Sequence, residues 1–301
     1  MDGPHLPFDE AAYLAANPDA VEAVEGGAFS SGWAHYLRQG WRTPRPGVPD
    51  GLFDCIAAQH APPDLQTVPP DHLRKRVHGS ENANGFVGVG RLAAIAVYLL
   101  FGAHRGVTAE DRVLDFGCGC GRVIRHAQAL MPQARFFGTD IDPEAIAWCR
   151  THLEAVAQFD TNAALPPTGY PDGFFSHVYG ISVFTHLPED MQSAWLAELH
   201  RITRPGALLV LSLHGEGFMP AWRRRLLRLL GNKGFHYHRD RRTEGLPGFY
   251  RCAYHTRDYV ERHWTRHFDI LLFIDRGLAA GQDLVVCRTR ANPAAELTKQ
   301  A

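Results

Sequence analysis

The sequence predicts an α/β fold, a mostly parallel sheet with helices on both faces. Two stretches carry that prediction. Val113-Leu114-Asp115-Phe116 is a short apolar run holding an acid, and Gly117-Cys118-Gly119-Cys120-Gly121 follows it. Val123, Ile124, Ala127, Leu130 and Met131 then fall on one helical face, so the unit reads strand, tight turn, helix. The second stretch is Ala134-Arg135-Phe136-Phe137-Gly138-Thr139-Asp140-Ile141-Asp142-Pro143. Its residues 136–139 read as another strand, with Asp142 as N-cap and Pro143 at the first position of another helix. Strands alternating with helices in this way build parallel sheets.

The other elements follow in chain order. Phe8-Asp9-Glu10-Ala11-Ala12-Tyr13-Leu14 starts a short helical pattern. Asn17-Pro18-Asp19 restarts it with a cap and an N1 proline, and Ser30-Ser31-Gly32-Trp33-Ala34-His35-Tyr36-Leu37 opens a third helix. Residues 1–46 thus read as a separate helical module, and 43–50, with three prolines, as a linker. Residues 47–110 lead into the sheet. Pro62-Pro63 and Pro69-Pro70 break them into pieces, 71–77 form a short basic turn, and 79–90 are glycine-rich around Phe86. Residues 92–102 read as a short buried helix. Further on, Asn162 precedes Leu165-Pro166-Pro167, and 175–181 read as the fourth strand. Ser182-Val183-Phe184-Thr185-His186-Leu187 leads to a helix starting near Pro188, with Met191, Trp195, Leu199 and Ile202 as its core stripe. Pro205-Gly206 ends that helix and 207–213 read as the fifth strand. Residues 268–273 and 282–287 read as a closing strand pair, completing a main domain over 111–290, and 291–301 as a frayed tail.

Composition narrows the function. The chain has 301 residues, 45% of them apolar, and a net charge of −1, so no global field draws it to nucleic acid. No apolar run reaches the ~18 residues of a membrane span. The first residues lack a basic region followed by an apolar core, so a cytoplasmic location is expected. Six cysteines form no metal-binding pattern; Cys118 and Cys120 lie inside the glycine turn, and free thiols are expected.

Spacing then selects a ligand. A dinucleotide fingerprint, G-x-G-x-x-G, would need a third glycine where Arg122 stands. Here Gly117, Gly119 and Gly121 alternate, and Asp115 precedes them as a carboxylate able to pair with a cationic amine. At these residues the chain resembles the class I S-adenosylmethionine-dependent methyltransferases, whose first motif is an acid followed by G-x-G-x-G. The resemblance implies a Rossmann-like, seven-stranded, mostly parallel sheet and S-adenosylmethionine as cofactor, with no metal. It implies cofactor contacts from Asp115, Phe116, Gly117, Cys118, Gly119, Gly121, Asp140, Ile141, Asn162 and Ser182. Asp140 lies 19 positions past Gly121, near the ~20 of a ribose-binding acid, although a turn or capping role is the alternative. Asn162 can donate and accept, as an adenine edge demands, or can serve as an ordinary turn residue. In related enzymes the segment before the first strand closes over the cofactor, which places Arg76, Phe86 and Val87 near a lid. Arg74, Lys75 and Arg76 read equally as a solvated helix face.

The chemistry implied is in-line displacement of a methyl group onto a small-molecule or glycan-related acceptor held in position. Where the acceptor is a hydroxyl, a base helps; His186 is the first choice by placement, with His214 and His255 as alternatives. With 17 histidines in the chain, a packed or surface role competes for each. Substrate-covering elements are expected in 215–264. That insert carries the basic amphipathic run 222–230 and then Lys233, His236, His238, Arg239, Arg241 and Arg242. It reads as a solvated helix, an anionic-substrate surface or a lipid contact. Residues 1–46, from Tyr13-Leu14 and Asn17-Pro18-Asp19 to His35-Tyr36 and Trp41, resemble short helical modules found beside bacterial glycosyltransferases and other surface-polysaccharide proteins. Docking to a protein or membrane surface through 1–46 or 222–242 is a further expectation. Two other functions stay open: a non-catalytic S-adenosylmethionine-binding scaffold and a nicotinamide-dependent oxidoreductase. Base methylation of nucleic acid is disfavoured, because no Asn/Asp-Pro-Pro-Tyr/Phe follows the fourth strand.

Overall fold

The structure is a computed structural model. It describes residues 8–48, 68–219, 221, 224–225, 234–238, 245–278 and 281–291. Three short helices open it: α1 (Glu10–Ala16), α2 (Pro18–Glu25) and α3 (Gly32–Arg38). Asp9 and Ser31 cap α1 and α3 by accepting from the Ala12 and Ala34 amides. Asn17 does not cap α2 with its side chain, as expected from sequence; its amide instead donates to the Tyr13 and Pro46 carbonyls. The Pro46 bond draws the 43–48 stretch back onto the helices. Tyr13, Trp33, Tyr36, Leu37 and Trp41 belong to the same apolar cluster as the main sheet and its helices. The helices are therefore packed on the fold rather than tethered to it.

Two helices precede the sheet, α4 (Asp71–His78) and α5 (Ala83–His104). The second corrects the sequence reading. The glycine-rich residues 83–90 are the first turns of a 22-residue helix rather than a segment ahead of a short one at 92–102, because the Asn82 side chain caps it by accepting from Gly85 N–H. By length and hydropathy it could cross a membrane, yet 72% of its most apolar window is buried within the fold. Its composition reflects a core position, since it is enclosed by α3, α6 (Ile124–Leu130) and the sheet.

The sheet has seven strands: β1 (Arg112–Phe116), β2 (Arg135–Asp140), β3 (Gln158–Thr161), β4 (Phe175–Gly180), β5 (Thr203–Leu213), β8 (Phe268–Ile274) and β9 (Asp283–Thr289). Their order is β3-β2-β1-β4-β5-β9-β8. The first five run parallel, and β9 joins β5 and β8 antiparallel. The strands read as continuous apolar runs because both faces are covered. Val113, Phe136 and Val210 face the cluster with α5 and α6, while Leu114, Phe137 and Leu211 face the one with α8 (Glu189–Ile202) and α9 (Arg257–Trp264). Helix α7 (Pro143–His152) follows β2, capped by Asp142 with Pro143 in its first turn, as expected.

Strand β5 also departs from expectation. It begins at Thr203, so Pro205-Gly206 lies inside the strand rather than between helix and strand. The pairing with β4 slips between Phe175 and His177, and Gly206 takes φ +79°, which lets the chain bulge past a proline that cannot donate. The insert 215–264 contains an unforeseen hairpin, β6 (Phe235–His238) with β7 (Cys252–His255). The expected basic helix at 222–230, with Lys233, Arg239, Arg241 and Arg242, lies almost wholly outside the described residues, as does the tail from 292. Strand order reverses between β2-β1 and β4-β5, which leaves a crevice at the carboxyl ends of β1 and β4.

Candidate active site

That crevice holds a cavity of about 470 Å³, within the ~300–1,000 Å³ common for small-molecule sites. Its floor is the turn after β1. The Gly117 and Cys118 amides donate to the Thr139 carbonyl at 2.8 and 3.0 Å, tying the turn to the end of β2. Gly117 has φ +75°, and a Cβ there would stand 2.3 Å from Val183 Cγ2. Gly119, at φ +53°, is closed in by Val77 of α4 in the same way. Glycine is thus required both for the left-handed backbone and for the close approach of two neighbouring segments. Gly121 departs from the expected cofactor contact: it does not line the cavity, and its missing Cβ makes room for Leu153.

The two expected acids sit at the ends of adjacent strands in different electrostatic states. Asp140 Oδ2 accepts from Gly119 N–H at 2.7 Å and Oδ1 from Asp142 N–H at 2.9 Å. Burial raises its pKa, partly offset by those amides. Each oxygen keeps a further lone pair for a ligand hydroxyl. Asp115 is fully enclosed, and its Oδ2 has no hydrogen-bond partner. Burial pushes its pKa up to about 8, against the weaker pull of the neighbouring Tyr179 hydroxyl. An acid in this state is completed by a bound cation. Asp142 caps α7 and receives Arg76 at 3.0 Å, while Arg76 also reaches Glu144 at 2.7 Å.

The remaining expected contacts divide. Phe116, Cys118, Ile141, Asn162 and Ser182 all line the cavity. Asn162 Oδ1 accepts from the Thr139 hydroxyl and its backbone N–H donates to the Asp140 carbonyl, which fixes it beside Asp140. Ser182 holds φ +66°, a conformation that costs a non-glycine residue about 1–3 kcal/mol. Ser212 Oγ accepts its N–H, and Gln282 bonds both serine hydroxyls. Arg76 lines the cavity, but Phe86 and Val87 do not. They are buried with Leu73, Cys120 and Ala145, because the segment carrying them is helical.

Of the three histidines considered as base, only His186 lines the cavity. Its Nδ1 lies 2.7 Å from the Arg251 carbonyl, an acceptor only, so Nδ1 carries the proton and Nε2 is the basic nitrogen. Its ring stacks on Tyr250 at 3.8 Å. His214 sits behind it, 6.1 Å away between centroids, stacked on Phe218. His255 is buried, and burial pushes its pKa down to about 3. Gln192 Nε2 donates to the Phe184 and Leu187 carbonyls, so its Oε1 must accept from His255 Nε2 at 2.8 Å. His255 therefore acts through Gln192 to hold the 184–187 segment that presents His186.

The other wall comes from 245–250, inside the 215–264 stretch expected to cover the substrate, though none of these residues was singled out from sequence. Leu246, Pro247, Phe249 and Tyr250 cover the cavity, and Gly245 abuts Arg76, so the loop meets α4 across the mouth. The signal was the apolar, turn-forming run Gly245-Leu246-Pro247-Gly248-Phe249-Tyr250 ahead of a strand. Arg122, also a wall residue, entered the sequence reading only as an absent glycine.

Residues 113–206 match the family model described as a methyltransferase domain. The chain is 28% identical over 100 residues to the malonyl-[acyl-carrier protein] O-methyltransferase of Hahella chejuensis, covering 33% of this chain and 35% of that protein. It is 33% identical over 109 residues to the trans-aconitate 2-methyltransferase of Methylobacterium nodulans, covering 36% and 40%. The chain thus spans well under two thirds of the length of the curated relatives it matches. Among solved structures, a SAM-dependent methyltransferase from Methanosarcina mazei has a TM-score of 0.48 at 20% identity, covering 62% of this chain and 95% of that one. The cleft fits S-adenosylmethionine, the methyl donor of such enzymes. Asp140 offers two oxygens to a vicinal diol, and Asp115 an unsatisfied oxygen to an ammonium group.

A stability prediction follows from Asp115. An acid whose pKa is raised by folding holds its proton more tightly in the native state. Unliganded stability should therefore fall as pH rises from about 4 to about 8, by at most ~1.4 kcal/mol per pH unit. Urea midpoints across that window should fall less steeply for Asp115→Asn than for wild type; parallel curves would contradict the assignment.

Proposed function

We propose that this protein transfers a methyl group from S-adenosylmethionine to a small acceptor held beneath the 245–250 loop. The observation that carries the reading is the pair of acids at the ends of β1 and β2: one pre-set to receive a diol, the other lacking a cation. When bound, the cofactor supplies a methyl carbon made electrophilic by its sulfonium. Asp140 would hold the ribose, Asp115 the ammonium group, and Asn162 the adenine edge. Phe116, Gly117, Cys118, Gly119, Ile141 and Ser182 would shape the pocket around them. A nicotinamide-dependent oxidoreductase finds less support, because Arg122 occupies the position of its third glycine.

The protein's share of the chemistry is placement and proton removal. Leu187, Trp195, Phe249 and Tyr250 give the cavity a largely apolar wall that excludes water. Nε2 of His186 can take the proton of an acceptor hydroxyl, since the Arg251 carbonyl holds the ring's own proton on Nδ1 in the neutral form. The enclosed wall favours a small molecule; a sugar hydroxyl of a larger glycan is the second reading, supported by the N-terminal module's resemblance alone. Docking through 1–46 would use the surface left after Tyr13, Trp33 and Tyr36 are buried.

Two outcomes test the reading. At pH 7 unliganded Asp115 is protonated, so an ammonium group binding beside it should expel a proton. The calorimetric heat of S-adenosylhomocysteine binding should then vary with buffer ionisation enthalpy in wild type and less in Asp115→Asn. A heat independent of buffer in wild type would refute the role. Once screening with methyl-labelled S-adenosylmethionine finds the acceptor, His186→Asn should lower kcat by about 10²-fold or more for a hydroxyl acceptor. S-adenosylhomocysteine affinity should stay within twofold, and an unchanged kcat would remove His186 as the base.

A further inference from the structure

Among the described residues lining the cleft, Arg122 stands apart. It is 8% exposed, and its Nε has no hydrogen-bond partner. The Nε atoms of Arg45 and Arg91 also lack a hydrogen bond, but neither residue lines the cleft and Arg45 is paired with Asp19; Arg76, which does line it, is matched by Asp142 and Glu144. Arg122 has no such carboxylate. The nearby acid on the same wall, Asp115, leaves its own Oδ2 unpartnered rather than pairing with it. Tyr250, the polar group facing Arg122 from the covering loop, is held neutral by burial.

The fold makes room for this arginine. On α5, Gly90 faces it so closely that a Cβ would stand 2.1 Å from the Arg122 carbonyl oxygen and 3.0 Å from its Cγ. A buried guanidinium without an anion is unfavourable unless a ligand supplies one. Its planar, multi-donor head matches a carboxylate in particular.

We propose that Arg122 is a carboxylate-binding residue of the cleft. This rests on the methyl-transfer reading, and the carboxylate has two possible sources: the amino-acid end of the cofactor or an acid group on the acceptor.

The test compares S-adenosylhomocysteine with its decarboxylated analogue, which keeps the amine, by calorimetry on wild type and Arg122→Gln. Malonate is then titrated into each protein saturated with S-adenosylhomocysteine. If the carboxylate is the cofactor's, its removal weakens binding to wild type at least tenfold, and the difference shrinks below twofold in Arg122→Gln. If it is the acceptor's, the two nucleosides bind wild type alike, and malonate binds loaded wild type but not loaded Arg122→Gln. Arg122→Lys, which keeps the charge, should restore part of either effect. The proposal is overturned if S-adenosylhomocysteine binds wild type, loses nothing with its carboxylate, and leaves malonate unbound. Equal behaviour of Arg122→Gln and wild type in both arms overturns it too. The wild-type arm needs no variant, so a poorly folded Arg122→Gln does not shield the proposal. No binding of S-adenosylhomocysteine to wild type would instead fell the methyl-transfer reading, and this inference with it.

Discussion

The hydrogen bond from Gly119 N–H to the Asp140 carboxylate joins the two halves of the cleft. Its donor sits in the turn after β1 and its acceptor at the end of β2, so it sets how far apart these strand ends stand. The second Asp140 oxygen holds the Asp142 amide, which positions the cap of α7 and the carboxylate that receives Arg76. Arg76 brings α4 over the turn, where Val77 fills the space above Gly119. One carboxylate thus organises the floor, one wall and the edge of the mouth. Without it the buried amide of Gly119 would lack an acceptor, and such groups are rarely left unpaired.

Around this frame the cleft keeps several locally unfavourable features. Asp115 Oδ2 and Arg122 Nε are buried without partners, and Ser182 sits in a left-handed conformation. The buried acid Asp111, away from the cleft, is by contrast fully matched by Arg105, Arg204 and the Thr108 amide. At Asp115 and Arg122 the unpaired groups are ionisable side chains lining the cavity itself, which is where a ligand would meet them. Gln192 and His255 show a complementary device: a hydrogen-bonded buried pair that fixes the segment presenting His186.

How much of this was legible in the sequence depended on how local the determining physics is. The turn after β1, the cap and proline at the start of α7, and the apolar stripe of α8 are set by residues within a few positions, and the structure has them where the pattern puts them. Two misreadings came from competing local signals. The glycine-rich stretch before β1 suggested Phe86 and Val87 near a lid, but the Asn82 cap starts a helix there that buries both away from the cavity. Pro205-Gly206 suggested a break, but a bulge absorbs it within β5. The distant contributions were illegible for a different reason. Arg122 needs Gly90 from another helix, Tyr250 arrives with a loop far along the chain, and His255 acts on His186 only through Gln192. Spacing along one chain carries no record of such encounters.

The most direct measurement is calorimetric titration of S-adenosylhomocysteine into wild type and Asp140→Ala, with both proteins confirmed to melt cooperatively. Micromolar binding by wild type, weakened at least tenfold (~1.4 kcal/mol) in the variant, is the predicted result. Equal affinity in the two proteins, or no binding to folded wild type, would contradict the account of the cleft.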